Sequence, residues 1–290
     1  MRVIGYRSQR TLAAPAELPG VGFITGTRVR VRFVPAPANS GIVFRRVDLS
    51  GSPAVPASVS QVSGTDRRVT LGPPHAGITL TEHLMAALAG LRIDNCLVEL
   101  DGVEPPGLDG SAAGFVELFA RAGIVCQNAS RPIWSVDRPL VVEEGGATLA
   151  LHPAEGPTLR VSYLLDYGWN AAIPRQTYSV QATPENFMAE IARCRTFVTE
   201  VEAKALRAKG VAPHLSESEV LVFGARGPIR NRLRFADEPA RHKVLDLLGD
   251  IAMCGFDLAG HLVAYRSGHA LNAELARRLV AAAQPLRAAA

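Results

Sequence analysis

The stretch Arg241-His242-Lys243-Val244-Leu245-Asp246-Leu247-Leu248-Gly249-Asp250 places three polar residues, His242, Asp246 and Asp250, four apart in an otherwise amphipathic run. At 3.6 residues per turn, that spacing stacks all three on one helix face. Val244, Leu248 and Ile251 fall on the opposite face and supply a core side. A helix with a core side has no packing need for an imidazole followed by two carboxylates. The row reads either as a metal site with a supporting carboxylate beyond it or as a solvated face carrying an ordinary ion pair, and this helix alone leaves both open.

A second segment bears on the choice. Thr79-Leu80-Thr81-Glu82-His83-Leu84-Met85-Ala86-Ala87-Leu88-Ala89-Gly90-Leu91 is another apolar helical run. Thr79 with Glu82 three residues on fits a capping box, so this helix is expected to open at about residue 80. His83 and His242 each stand seven residues before a glycine, Gly90 and Gly249. In both halves a strand follows, then a glycine loop (Asp109-Gly110-Ser111-Ala112; Ser267-Gly268-His269-Ala270), then a further helix. The fold class expected is α+β: two related α/β-sandwich domains, residues 1–126 and 127–290, packed helix layer to helix layer as a pseudo-repeat. Such packing brings His83 close to His242.

Around these helices the chain reads mostly as strands. Arg28-Val29-Arg30-Val31-Arg32-Phe33-Val34 alternates with period two and keeps Arg on the wet face. Residues 50–65, rich in Ser, Pro and Gly, read as an exposed connection or insertion, and residues 125–137 as a linker. Strand patterns resume at 138. A helix begins at Pro184, a short one runs from Glu200 to Lys209, Asp237 stands as N-cap of the helix quoted first, and a last helix runs to Ala283.

Size and composition bound the function. With 290 residues, 48% hydrophobic and 20% charged, the chain has the makeup of a soluble globular protein with room for two cores. The net charge is +4 and the pI about 9.1. The basic residues are scattered, and no aromatic-studded basic run indicates nucleic acid. Cys96, Cys126, Cys194 and Cys254 form no CxxC pair, which argues against a zinc ribbon or disulfide scaffold and fits a reducing compartment. Neither a signal peptide nor a membrane span is apparent, so a cytoplasmic protein is expected.

The candidate metal ligands are His83, His242 and Asp246, an N/N/O set that suits Zn2+ and leaves a fourth position open. Glu82, beside a ligand and at a helix start, is the candidate general base. His269, in the glycine loop that the repeat places opposite, is the candidate acid, with Asp250 to orient it and keep it cationic. Single histidines are commonly satisfied core or surface residues, which suffices for His75, His152, His214 and His261; taken singly, His83 and His269 would be read the same way. The spacing is not HExxH, so a zincin is not indicated.

The chain also resembles a known family, the UDP-3-O-acyl-N-acetylglucosamine deacetylases (LpxC), from Thr11 to about Leu279. The likeness rests on Gly20-Val21-Gly22, Pro35-Ala36-Pro37-Ala38-Asn39-Ser40-Gly41, Arg45-Arg46-Val47-Asp48-Leu49, Thr81-Glu82-His83-Leu84-Met85-Ala86-Ala87-Leu88 and Leu108-Asp109-Gly110-Ser111-Ala112. It continues through Arg195-Thr196-Phe197, Leu233-Arg234-Phe235, Arg241-His242-Lys243-Val244-Leu245-Asp246 and Ser267-Gly268-His269-Ala270-Leu271-Asn272. The resemblance implies a cytoplasmic zinc amidase of lipid A biosynthesis, acting on a UDP-linked acylated amino sugar, with two related α+β domains and the site between them. It implies zinc ligands at His83, His242 and Asp246, a base at Glu82, an acid at His269 and its partner at Asp250. By resemblance alone, Thr196 helps hold the oxyanion, Lys243 binds substrate near the diphosphate, and an insertion at about 197–223 forms an acyl passage with Phe197 at its mouth. A monomer is expected.

Two departures stand out. The family pattern Gly-Val-Gly-Leu-His is Gly20-Val21-Gly22-Phe23-Ile24 here, and the family's Gly-Gly-Ser segment is replaced by Val211-Ala212-Pro213-His214-Leu215-Ser216-Glu217-Ser218. A related amino sugar as substrate, or sugar-nucleotide binding without catalysis, are the alternatives.

Overall fold

The computed structural model describes residues 1–217 and 219–287, with no account of side chains beyond 283. Ser218, in the altered segment, lies outside the described residues. The fold is mixed, with α and β elements in two sheet-and-helix units. One five-stranded sheet runs in the order Ala16–Val21, Arg28–Pro35, Cys96–Leu100, Ile42–Arg46, Ala54–Pro56. The other runs Leu140–Glu144, Ala147–His152, Gly260–Tyr265, Leu159–Leu165, Gln176–Gln181. In each sheet the central strand lies antiparallel to one neighbour and parallel to the other, and the outer pairs are antiparallel. Both sheets thus share one strand order and one set of directions, which is the repeat seen in the paired helices.

Among the described residues six α-helices accompany these sheets: α1 (Glu82–Gly90), α2 (Ala113–Ala122), α3 (Pro184–Asn186, continued by a wider turn over Phe187–Ile191), α4 (Glu200–Ala208), α5 (Glu238–Ala252) and α6 (His269–Arg287). Alternation decides what each sheet buries. Val29, Val31 and Phe33 are buried while Arg28, Arg30 and Arg32 are exposed, and Phe33 stacks edge-on to Phe115 and Phe119 of α2. In the second unit Leu149, Val161, Tyr163 and Leu262 turn inward under α5 and α6.

Helices α1 and α5 pack against each other where the two units meet. A Cβ built on Gly249 would lie 2.1 Å from the carbonyl oxygen of Glu82 and 3.1 Å from the Ala86 nitrogen, so α5 approaches α1 backbone to backbone. Gly90 serves a different contact: a Cβ there would lie 2.4 Å from the ring of Phe187.

Several expectations are corrected. Residues 125–137 are no linker. Ile124–Ser135 is a long strand that pairs antiparallel with the N-terminal strand Arg2–Leu12 and, at Ile133 and Trp134, parallel with Asp257–Leu258. Its pattern is blurred by Pro132 and by polar residues that face the first strand and the ion pairs of Arg7 and Arg131 with Asp257. Residues 50–65 are not merely an exposed connection, since Ala54–Pro56 completes the first sheet and Val55 and Val59 are buried. The first long helix opens at Glu82 rather than 80, with no side-chain cap bond. Leu80 takes a left-handed φ of 56°, and the Glu82 carboxylate turns to Val69 instead of a cap. Asp237 is the N-cap residue of α5 but accepts from Arg241 Nε at 2.6 Å rather than from the helix backbone. The last helix runs on to Arg287.

Replacing Gly249 with Ala should destabilise the protein by about 1–3 kcal/mol, as overpacking of a closed contact does. Gly156→Ala, which meets nothing within 4 Å and has no positive φ, should be neutral. Urea unfolding of both variants checks this, and a neutral Gly249→Ala would show that the helices can separate at no cost.

Candidate active site between the paired helices

The packing of α1 on α5 sets His83 against His242, with ring centroids 4.9 Å apart and planes nearly perpendicular. Asp246, one turn along α5, points the same way. Its Oδ1 lies 3.3 Å from His242 Nε2 and 3.6 Å from His83 Nε2. That oxygen is buried and accepts no hydrogen bond among the described residues. Three donor atoms, all within 4.8 Å of one another, therefore face one point. Tetrahedral ligation at 2.0–2.1 Å puts neighbouring ligand atoms about 3.4 Å apart, so these separations suit a small divalent ion such as zinc. Among the described residues this is the one grouping of His, Cys, Asp and Glu with such spacing.

The surroundings fix each ligand atom. His242 Nδ1 lies 3.0 Å from the Cys194 carbonyl, which accepts its proton and leaves Nε2 bare toward the cluster. Burial pushes the His242 pKa down to about 4, so the imidazole is neutral. The Cys194 carbonyl is itself held: Arg195, buried, donates from its backbone and its Nε to Glu238 Oε1 at 3.0 and 2.9 Å, and Glu238 sits in the first turn of α5. Burial would raise Asp246, but His242, Lys243 and His83 outweigh it and hold the carboxyl well below its usual range.

Glu82 and His269 flank the cluster. Glu82 is buried, and its Oε2 accepts from the Val69 N–H at 3.1 Å. Burial raises its pKa, with the histidines opposing. His269 Nδ1 donates to Asp250 Oδ2 at 2.8 Å, and Asn272 Nδ2 donates to the same oxygen at 2.8 Å. Burial works against a charge on His269, but Asp250, with Glu82 and Asp246, lifts its pKa to about 9. The structure thus gathers His83, His242, Asp246, Glu82, His269 and Asp250 into one cluster.

The three residues singled out by resemblance alone lie on its edge. Phe197 packs its ring 6.0 Å from His242, 6.1 Å from Tyr167 and 6.3 Å from Phe223, and it opens the strand–helix–strand segment Phe197–Thr199, Glu200–Ala208 and Leu221–Gly224. Thr196 is half-buried, its N–H bonded to the Gly110 carbonyl, and its hydroxyl makes no hydrogen bond among the described residues. Lys243 Nζ is not free: it donates to Asp246 Oδ2 at 2.8 Å, and this contact, with Tyr163 nearby, raises its pKa despite burial.

Other contributors carry no motif. The Val69 and Cys194 backbone groups are invisible in side-chain patterns, and Tyr163, whose hydroxyl donates to the Ser267 carbonyl ahead of His269, reads as an ordinary core aromatic. Asn272, three residues after His269, could have been found by helical spacing. His214, read as unremarkable, meets the Gly22 carbonyl at 3.1 Å, on the loop where Ile24 stands. That loop is held from the other side by Glu104, which accepts from the Ile24 and Thr25 N–H groups.

What this polar cluster assembles is the equipment of a hydrolase able to hold a divalent ion. The model of the LpxC family, UDP-3-O-acyl N-acetylglycosamine deacetylase, matches residues 9–281. The chain is 41% identical over 272 residues to the UDP-3-O-acyl-N-acetylglucosamine deacetylase of Thermosynechococcus vestitus, covering 94% of each chain. It is 40% identical to the enzyme of the same name from Trichormus variabilis, covering 94% of this chain and 98% of that one. With the Solibacter usitatus deacetylase the identity is 37%, over 94% and 92%. The chain belongs to the UDP-3-O-acyl-N-acetylglucosamine deacetylase family. No helix among the described residues is long and apolar enough to cross a membrane.

The raised pKa of His269 gives a signed expectation. A group whose folded pKa exceeds its unfolded value stabilises fully below the unfolded value, here 6.5, and loses that contribution as pH climbs to about 9. The stability difference between the native chain and Asp250→Asn should therefore shrink from pH 6.5 to 9. Imidazole NMR should find His269 charged at pH 7.5 in the native chain and neutral in Asp250→Asn; a neutral native imidazole at pH 7.5 would refute the assignment.

Proposed function

We propose that this chain hydrolyses the N-acetyl amide of UDP-3-O-acyl-N-acetylglucosamine, releasing UDP-3-O-acyl-glucosamine and acetate in lipid A synthesis, with zinc held by His83, His242 and Asp246. The observation that carries the reading is the buried Asp246 Oδ1, flanked by two imidazole nitrogens at 3.3 and 3.6 Å and bonded to neither. A buried carboxylate oxygen without a partner is costly, and a ligated cation removes that cost. Zinc bound there would polarise the amide carbonyl and acidify water.

The protein's own groups do the rest. Glu82 has one oxygen tied to Val69 N–H, so the other is available to take a proton from the attacking water, and burial makes it a stronger base than a solvated carboxylate. Water oxygen bonds to the acetyl carbon, and the Thr196 hydroxyl donates to the oxyanion that forms. His269, cationic because of Asp250, then gives a proton to the sugar nitrogen as the C–N bond breaks. Asn272 and Asp250 hold the ring in the orientation this transfer needs. Lys243 would have to release or share Asp246 Oδ2 to meet a diphosphate oxygen. The acyl chain would pass Phe197 and the wall of Tyr167 and Phe223. All these groups come from one chain, in keeping with a monomer built of two units, 1–126 and 127–290.

A second reading keeps the chemistry and changes the substrate to a related amino sugar. It is favoured by Ile24 in place of a polar residue and by His214 on the adjacent Gly22 carbonyl.

Glu82→Gln should retain stoichiometric zinc and lose about 10²–10⁴-fold in turnover, the usual worth of a general base. His83→Ala should lose both zinc and activity. Metal analysis with a deacetylation assay on UDP-3-O-acyl-N-acetylglucosamine checks both, and near-native turnover by Glu82→Gln would remove it as base.

A further inference from the structure

The faces of α1 and α5 turned away from the cluster border a second space. It is a cavity of about 310 Å³ between the two units, within the range of small-molecule sites. Met85, Leu88 and Ala89 of α1 line it, as do Leu248, Ile251 and Ala252 of α5. Phe187, Phe256 and Ile133 close its far side. None of the residues that hold the metal or move a proton lines it.

One end is polar and cationic. Arg7, Arg92 and Arg131 line the cavity with Asp94 and Asp257, three positive groups against two negative. Arg7 is saturated: its guanidinium makes paired bonds to Asp94 at 2.7 Å and further bonds to Asp257. Arg131 Nε lies 3.0 Å from Asp94 and 2.7 Å from Asp257, and the terminal nitrogens of Arg131 make no hydrogen bond among the described residues. The Arg92 side chain makes no hydrogen bond or ion pair among the described residues, although exposed Glu185 feels its charge.

The position of Arg92 is itself informative. Its N–H bonds to the Ala89 carbonyl and that of Ile93 to the Leu88 carbonyl, the pattern that closes an α-helix through a left-handed residue. Arg92 supplies that residue, with φ 57°, where glycine is favoured. A strained backbone that keeps an unpaired arginine beside an apolar cavity points to a use for the side chain.

We propose that this cavity binds a single-chain anionic amphiphile, a fatty acid, with its carboxylate on Arg92 and the free nitrogens of Arg131 and its chain between α1 and α5. Planar guanidinium donors suit a carboxylate, and the apolar remainder suits an alkyl chain. The excess positive charge excludes a cationic amphiphile.

The full-length protein labelled with ¹³C at its methionine methyls tests this, with laurate, dodecanol and dodecylammonium as probes. Met85 lines the cavity, while Met188 is exposed and does not. Laurate should shift the Met85 methyl saturably and leave Met188 unmoved. Ala89→Leu and Ala252→Leu, which fill the cavity, should each abolish the shift. Arg92→Glu should weaken laurate roughly tenfold, as loss of a charge-assisted carboxylate contact does, and leave dodecanol unchanged. A chelator should leave laurate binding as it was, which separates this cavity from the metal-dependent reading. An unmoved Met85, a shift that survives both leucine variants, or equal binding of the three probes would overturn the proposal.

Discussion

The approach of α5 to α1 at Gly249 is the constraint on which the site depends. Side chains that separate two helices can rearrange, but a backbone resting on the Glu82 carbonyl leaves nothing to rearrange. The contact falls three residues beyond Asp246 and on the residue next to His83. It therefore sets the spacing between α1 and α5 to the few ångströms that bring Nε2 of two histidines to one carboxylate oxygen. The two sheets, alike in order and direction, serve as platforms that carry the helices to this meeting.

Three buried acidic residues of one cluster are driven apart in character by their neighbours. Asp246 is surrounded by imidazoles and an ammonium and stays ionised. Glu82 has fewer cations around it, so burial prevails and its proton affinity rises. Asp250 accepts from His269 and Asn272 and passes its influence to the imidazole. The same desolvation that lowers His242 to about 4 fails to lower His269, because only His269 is hydrogen-bonded to a carboxylate. Two histidines of one cluster thus differ in charge.

The polar stripe of α5 and its echo in α1 were legible in the sequence because helical period and repeat both act on side-chain type. So was the meeting of His83 with His242. The strand Ile124–Ser135 was not, because its polar residues answer to Arg2–Leu12, a partner more than a hundred residues away, and not to a local alternation. The start of α1 was misread because Glu82 gives up a local cap for the distant Val69 N–H, and no local rule contains that exchange. Thr196, Lys243 and Phe197 carried no periodic signal and came only through family likeness. The bond from Lys243 to Asp246 required the fold, because a lysine three residues before an aspartate on a helix is as often a surface pair.

The pairing of Arg2–Leu12 with Ile124–Ser135 bears on the order of events at the ribosome. The first strand of the chain waits for residue 135 before its register is complete, so the opening unit finishes folding only as the second begins to emerge. His83 is by then in place, but His242, Asp246 and His269 are still to be made. Until α5 emerges, a nascent chain therefore presents His83 without the two residues that share its cluster. Capture of the proposed zinc becomes a late event, one that waits until α5 has left the ribosome.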